Sequence, residues 1–319
     1  MRIPALTTAM ALATVLAAAP PSPQDQRPAF RSGVDLVNFG VTVTDRKGNL
    51  VTTLTASDFE VFEDGRKQAV KYFAVGGSRE DGGGAGTGEL HLGVLFDISG
   101  SMEEDIELAR RAAIKFLNTL TDAIDITVVH FDTEVRIARY GQNDFPRLVE
   151  RIRSGKPDGY TALYDALGVY LDNASSEKGR KILVLYTDGV DNNSNITVTE
   201  VYTLLKASDV TVYTIGFLEH LPTSMRFTMR MILQQIAEMT GGQFFLPSSM
   251  KELEAAYKKV KAEIAAQYSL GYLSTNERTD GAWRKVEIKL ARPDLRPLRV
   301  RTRNGYFALY RQPPGPAGR

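Results

Sequence analysis

The 319-residue chain has no cysteine. That excludes disulfides and lipid attachment through a Cys, so stability has to come from buried apolar surface or a bound ion. Histidine is scarce: His91, His130 and His220 are far apart and are assigned no role. Tryptophan occurs once, as Trp283, and reads as core or edge of a β-structure. Neither sign of charge dominates; a formal net charge of +1 gives no global field that would select nucleic acid or a membrane. After residue 26 no apolar run is long enough to cross a bilayer. What remains is a chain that is 43% hydrophobic and 24% charged, ordinary for a globular protein and long enough for two domains.

The opening stretch MRIPALTTAMALATVLAAAPPSPQDQ has a basic start, a small-residue apolar run and an A-x-A pattern at Ala17 and Ala19. It reads as a secretory signal peptide over residues 1–22, with an uncleaved anchor as the alternative. The expected product is exported, periplasmic or extracellular, with no transmembrane segment after cleavage. Residues 30–75 alternate apolar and polar positions around the turn signals DRKGN and EDGRK, as antiparallel strands do. Residues 76–89 are half glycine and read as a flexible linker. From 90 to 267, apolar strand-like runs alternate with helical spacing, which predicts a doubly wound α/β domain. Its sheet is mostly parallel, with one antiparallel edge strand from the hairpin between Asp125 and Tyr140. Residues 268–311 return to alternation and are expected to pair with 30–75 as one β-sandwich. The end, 312–319, reads as disordered.

Ligands of open parallel sheets sit beyond the carboxyl ends of the strands, where strand order reverses. Three segments end there: VLFDISGSMEED with Asp97, Ser99 and Ser101; DGYTALYDAL with Thr161; and LYTDGVDNNS with Asp188. The donors are carboxylates and hydroxyls, which suit Mg²⁺ or Mn²⁺ and disfavour Zn²⁺. Gly100 would let the backbone turn sharply between the serines. Asp191 stands behind the ligands or serves as a turn residue. Glu103, Glu104 and Asp105 are read as complements of a helix dipole.

Asp97-x-Ser99-x-Ser101, then Thr161, then Thr187-Asp188-Gly189, in that order, resemble the von Willebrand factor type A (VWA) domain and its metal-ion-dependent adhesion site, over His91 to about Gln267. The resemblance implies a Rossmann-like fold with hydroxyl ligands Ser99, Ser101 and Thr161. It implies Asp97 and Asp188 acting often through water, and an ion that is Mg²⁺, with Mn²⁺ or Ca²⁺ as alternatives. A partner protein's Asp or Glu would complete the shell. DFEVFEDGRKQAVKYF before the domain and RNGYF after it resemble the flanks of bacterial secreted VWA proteins.

These residues point to protein binding, not to an enzyme. No His falls in the three loops. The chain lacks H-E-x-x-H and G-x-S-x-G, Gly155-Lys156 is followed by Pro157, and Ser99 occupies the second position of a D-x-D. A metal-dependent hydrolase and a scaffold in which the ion only stabilises the fold are the alternatives. Between Arg284 and Arg303 eight basic residues face Glu287 and Asp294. Alternation of Arg299, Arg301 and Arg303 is read as a solvated strand face, not a nucleic-acid surface. Met225, Met229 and Met231 are read as helix packing.

Overall fold

The structure, a computed structural model, describes residues 36–76, 78–79, 89–120 and 122–310. The expected signal peptide, most of the glycine-rich stretch and the C-terminal tail lie outside the described residues. The described residues form one compact unit.

The N-terminal flank supplies β1 (Val37–Thr44), β2 (Phe59–Glu63), β3 (Arg66–Gln68), β4 (Val70–Val75) and β5 (Ser78–Arg79). Asp45 Oδ1 accepts 2.8 Å hydrogen bonds from the N–H groups of Lys47 and Asn49 and so shapes the turn after β1. Asp64 and Gly65 both have positive φ, +46° and +81°, which is what a tight β2–β3 hairpin requires. The last two residues, Ser78 and Arg79, lie inside the stretch expected as linker and pair with β4.

The central domain runs β6 (Leu90–Asp97), α1 (Ile106–Leu117), β7 (Ala123–Phe131), β8 (Val135–Gly141), α2 (Phe145–Arg153), α3 (Leu163–Ser175), β9 (Arg180–Thr187), α4 (Val198–Ala207), β10 (Thr211–Gly216), α5 (Thr223–Met239), β11 (Phe244–Phe245) and α6 (Met250–Ala266). Strand order is β11-β10-β9-β6-β7-β8. Every pairing is parallel except β7–β8, so β8 is the antiparallel edge expected from the sequence. All eight residues of β6 are buried. That follows from two apolar layers: side chains of α1, α2 and α6 cover one face, and those of α3, α4 and α5 the other. From β6 the chain steps to β7 on one side and later to β9 on the other. The order therefore reverses at the carboxyl ends of β6 and β9.

The last strands are β12 (Tyr268–Tyr272), β13 (Trp283–Leu290), β14 (Arg299–Arg301) and β15 (Gly305–Phe307). The two flanks interleave into sheets ordered β14-β1-β12-β4-β5 and β15-β13-β2-β3, all antiparallel. Their inner faces share one core, where Phe59 lies 5.2 Å from Tyr268 and 6.1 Å from Phe73. Glu63 is also buried there, and it accepts hydrogen bonds from Tyr272, Tyr306 and Ser274. Trp283, half-buried at the start of the inner strand β13, packs edge-on to Phe307 of β15.

One residue, Gln267, separates α6 from the central strand β12. Arg301 donates to Gly241 O and to Glu263 of α6. Arg303 donates to Ser208 O at 2.9 Å and Asn38 O at 2.8 Å and lies over the Phe39 ring. These two arginines clamp the sandwich to the α/β domain, so the expected solvated face is corrected for them, while Arg299 is exposed as expected. Alternation told which face they share but not what covers it. Met225 and Met231 are exposed and only Met229 packs into the core, which corrects their reading as packing.

Candidate metal-ion site

Asp97 is the last residue of β6 and Thr187 the last of β9, neighbours in the parallel sheet. Asp97 Oδ1 accepts from the backbone N–H of Ser99 at 3.0 Å and from Ser99 Oγ at 2.6 Å. Its other oxygen, Oδ2, accepts from Thr187 Oγ1 at 2.6 Å. Both oxygens are thus oriented. Ser99 Oγ lies 3.2 Å from Ser101 Oγ. Asp97, Ser99 and Asp188 are fully buried, whereas Ser101 is exposed and marks the solvent side of the cluster.

Thr161 comes from the next loop. That loop is tied to the first by Gly100 N–H donating to Gly159 O at 3.2 Å and Asp158 N–H donating to Ile98 O at 3.1 Å. A Cβ on Gly100 would stand 3.4 Å from Gly159 O, and Gly100 has no positive φ. That is an ordinary contact, so neither a sharp turn nor a close approach demands glycine at this position. The backbone of Thr161 is held by the third loop: its N–H donates to Asn192 Oδ1 at 2.8 Å and its carbonyl accepts from Asn192 and Asn193. α3 starts at Leu163, so Thr161 stands in the loop just before the helix. Asp191 Oδ2 accepts from Tyr164 N–H at 3.0 Å, in the first turn of α3, and from Ser194 Oγ at 2.5 Å. Its role is to pin the Thr161 segment to the Asp188 loop.

Asp188 Oδ1 accepts from Val190 N–H at 2.9 Å. Burial first, and then repulsion from the Asp188 carboxylate, push Asp97 up to about 7 against the pull of the hydrogen bonds from Ser99 and Thr187. Two carboxylates are therefore held side by side out of water, with hydroxyls around them. Among the described residues no group of three or more His, Cys, Asp and Glu that could hold a metal occurs. A cation here would have to use this mixed carboxylate–hydroxyl set. The set suits a hard divalent ion, because two acids supply the charge and the hydroxyls supply neutral oxygens.

Residues 91–259, just over half of the chain, match the model of the von Willebrand factor type A domain. The chain belongs to the VWA family. No curated protein matches it. Three solved structures illustrate how distant its structural likenesses are. A von Willebrand factor type A protein from Catenulispora acidiphila is 15% identical, with a TM-score of 0.46, over 88% of this chain and 75% of that one. The mussel byssus proximal thread matrix protein 1, with a zinc-occupied MIDAS motif, is 23% identical, with a TM-score of 0.44, over 56% of this chain and 48% of that one. The pilus adhesin SpaC of Lactobacillus rhamnosus GG is 11% identical, with a TM-score of 0.47, over 79% and 48%. The chain thus spans about half the length of the byssus and pilus proteins.

Within the VWA domain one residue escaped the sequence reading. His220, in the loop after β10, places Nε2 3.3 Å from Asp188 Oδ2 and Nδ1 3.0 Å from Asp105 Oδ2. Histidine is therefore part of the site, contrary to the expectation. Asp105 precedes α1 and makes no side-chain cap, so its carboxylate serves His220. The signal was available: the rule that draws attention to the ends of β6 and β9 applies equally to the end of β10. Thr187 was noticed only as part of a motif, not as the group that orients Asp97. His91 lies at the opposite end of the sheet, bonded to Asp125 and Lys178 O.

Proposed function

We propose that the chain is an exported protein-binding module that grips an Asp or Glu of a partner protein through a divalent ion, Mg²⁺ or Mn²⁺. Ser99, Ser101 and Thr161 would hold the ion through their hydroxyls, with Asp97 and Asp188 acting directly or through water. When bound, the ion would supply an electrophilic position for the partner's carboxylate. The residues themselves pre-orient that seat. Thr187 and Ser99 fix both Asp97 oxygens, Asn192 and Asp191 hold the Thr161 segment, and Ser101 leaves the cluster open to solvent. The observation that carries this reading is the buried Asp97–Asp188 pair. Two adjacent carboxylates without water are costly unless a cation or a proton joins them.

The same proposal holds that the chain is not an enzyme. His220 is the imidazole nearest the site, and both of its nitrogens are engaged by carboxylates of the chain itself, Asp105 and Asp188. The test is capture of partner proteins from the cell envelope by the full chain with Mg²⁺, with EDTA, and with Asp97→Ala. Capture lost in the second and third conditions while the variant stays folded supports the proposal. Capture unaffected by EDTA contradicts it, and so does metal-dependent hydrolysis of phosphate esters that disappears with Asp97→Ala.

A further inference from the structure

His220 is held on both sides by acids from different elements. Asp105, at the start of α1, places Oδ2 3.0 Å from Nδ1. The other ring nitrogen, Nε2, lies 3.3 Å from Asp188 Oδ2. Nitrogen and oxygen ligands of one Zn²⁺ lie about 2.0–2.2 Å from it, so two of them can stand 3.3 Å apart, as Nε2 and Asp188 Oδ2 do. A carboxylate on the far ring nitrogen is also the arrangement that orients metal-bound histidines and makes them more basic. Asp188 is fully buried and the His220 side chain is 15% exposed.

We propose that His220 is a nitrogen ligand of the ion held at Asp188, with Asp105 as its positioning residue. The site would then accept Zn²⁺ or Co²⁺ through a nitrogen donor instead of being confined to hard oxygen-bound Mg²⁺. This rests on the reading that Asp188 belongs to a cation site, and it revises the sequence expectation that nitrogen plays no part there.

Calorimetric titration of the metal-free full chain with ZnCl₂ and with MgCl₂ tests it, alongside His220→Ala, His220→Gln and Asp105→Asn. Thermal unfolding of each variant checks its fold. Any oxygen site prefers Zn²⁺ to Mg²⁺ to some degree, so the change between variants is what decides. Both His220 variants should lose about 100-fold in Zn²⁺ affinity and stay within about threefold for Mg²⁺; Asp105→Asn should lose about tenfold for Zn²⁺. The visible bands of the Co²⁺-loaded chain should change with His220→Gln. Zn²⁺ affinity and Co²⁺ spectrum unchanged in a folded His220 variant would overturn the inference and leave the proposed function standing. Failure of the wild-type chain to bind any divalent ion would overturn both.

Discussion

Thr187 Oγ1 donates a 2.6 Å hydrogen bond to Asp97 Oδ2, joining the last residues of the two central parallel strands. The same hydroxyl accepts from Gly189 N–H at 3.0 Å. One side chain thus sets both the orientation of Asp97 and the course of the loop carrying Asp188. Thr187→Val keeps the shape and removes the donor. It should cost about 1–3 kcal/mol in urea unfolding, because a buried acceptor loses its partner. Divalent-ion affinity should fall about tenfold, as it does when a group that orients a ligand is lost. Thr187→Ser should restore most of both.

The Asp97–Asp188 pair makes the metal-free protein less stable than it need be. Asp97 is pushed up to about 7 by burial and by its neighbour. Asp97→Asn removes the repulsion while retaining a polar side chain. Without divalent ions the variant should be more stable than wild type by about 1–3 kcal/mol at pH 8, given about 1.4 kcal/mol per unit of displaced pKa. With 5–10 mM Mg²⁺ added, on the order of physiological magnesium and above, the ranking should reverse, because only the wild type gains from binding. Melting curves with and without EDTA read this directly.

A second titratable group lies away from the site. His130 on β7 is 1% exposed, and its pKa is pushed down to about 3 by burial, then by Arg151, Arg110 and Arg136. The unfolded chain binds this proton near 6.5 and the folded protein does not, so the unfolded state holds more protons between those values. Stability should therefore fall as pH drops below 6.5, with this residue contributing up to about 1.4 kcal/mol per pH unit. His130→Phe should flatten the stability profile between pH 6.5 and 5. An unchanged slope would assign the acid sensitivity to other groups.

The clamp between the two domains gives a third test of stability. Glu263 is 1% exposed and its cationic partner is Arg301. Arg301→Met leaves that carboxylate buried without a counter-charge, which should cost about 3–5 kcal/mol. The double change Arg301→Met with Glu263→Gln should recover part of the loss. Chemical denaturation of the three proteins measures the coupling.

Much of this was legible in the sequence because burial on both faces leaves a continuous apolar run, as in LGVLF and KILVLY. Strand ends carrying Asp, Ser and Thr then locate the five candidate ligands. The sandwich was legible from alternation in both flanks. Contacts between elements distant in the chain were not. His220 and Asp105 are 115 positions apart and meet only because β10 ends and α1 begins at the same rim. Arg301 and Arg303 alternate as a solvated edge would, and only the docked α6 and the β1 backbone turn that face inward. Met225 stands one helical turn before Met229 and is still exposed, which periodicity did not foretell; Met231, two positions after Met229, falls on another face of α5.

The central claim is that Asp97, Asp188 and the hydroxyls of Ser99, Ser101 and Thr161 together hold a divalent ion. Calorimetric titration of the metal-free chain with MnCl₂ tests it most directly, with Asp97→Ala as the comparison. One ion per wild-type chain, and none for the folded variant, is the predicted result. Equal binding by both proteins, or no binding by either, would contradict it.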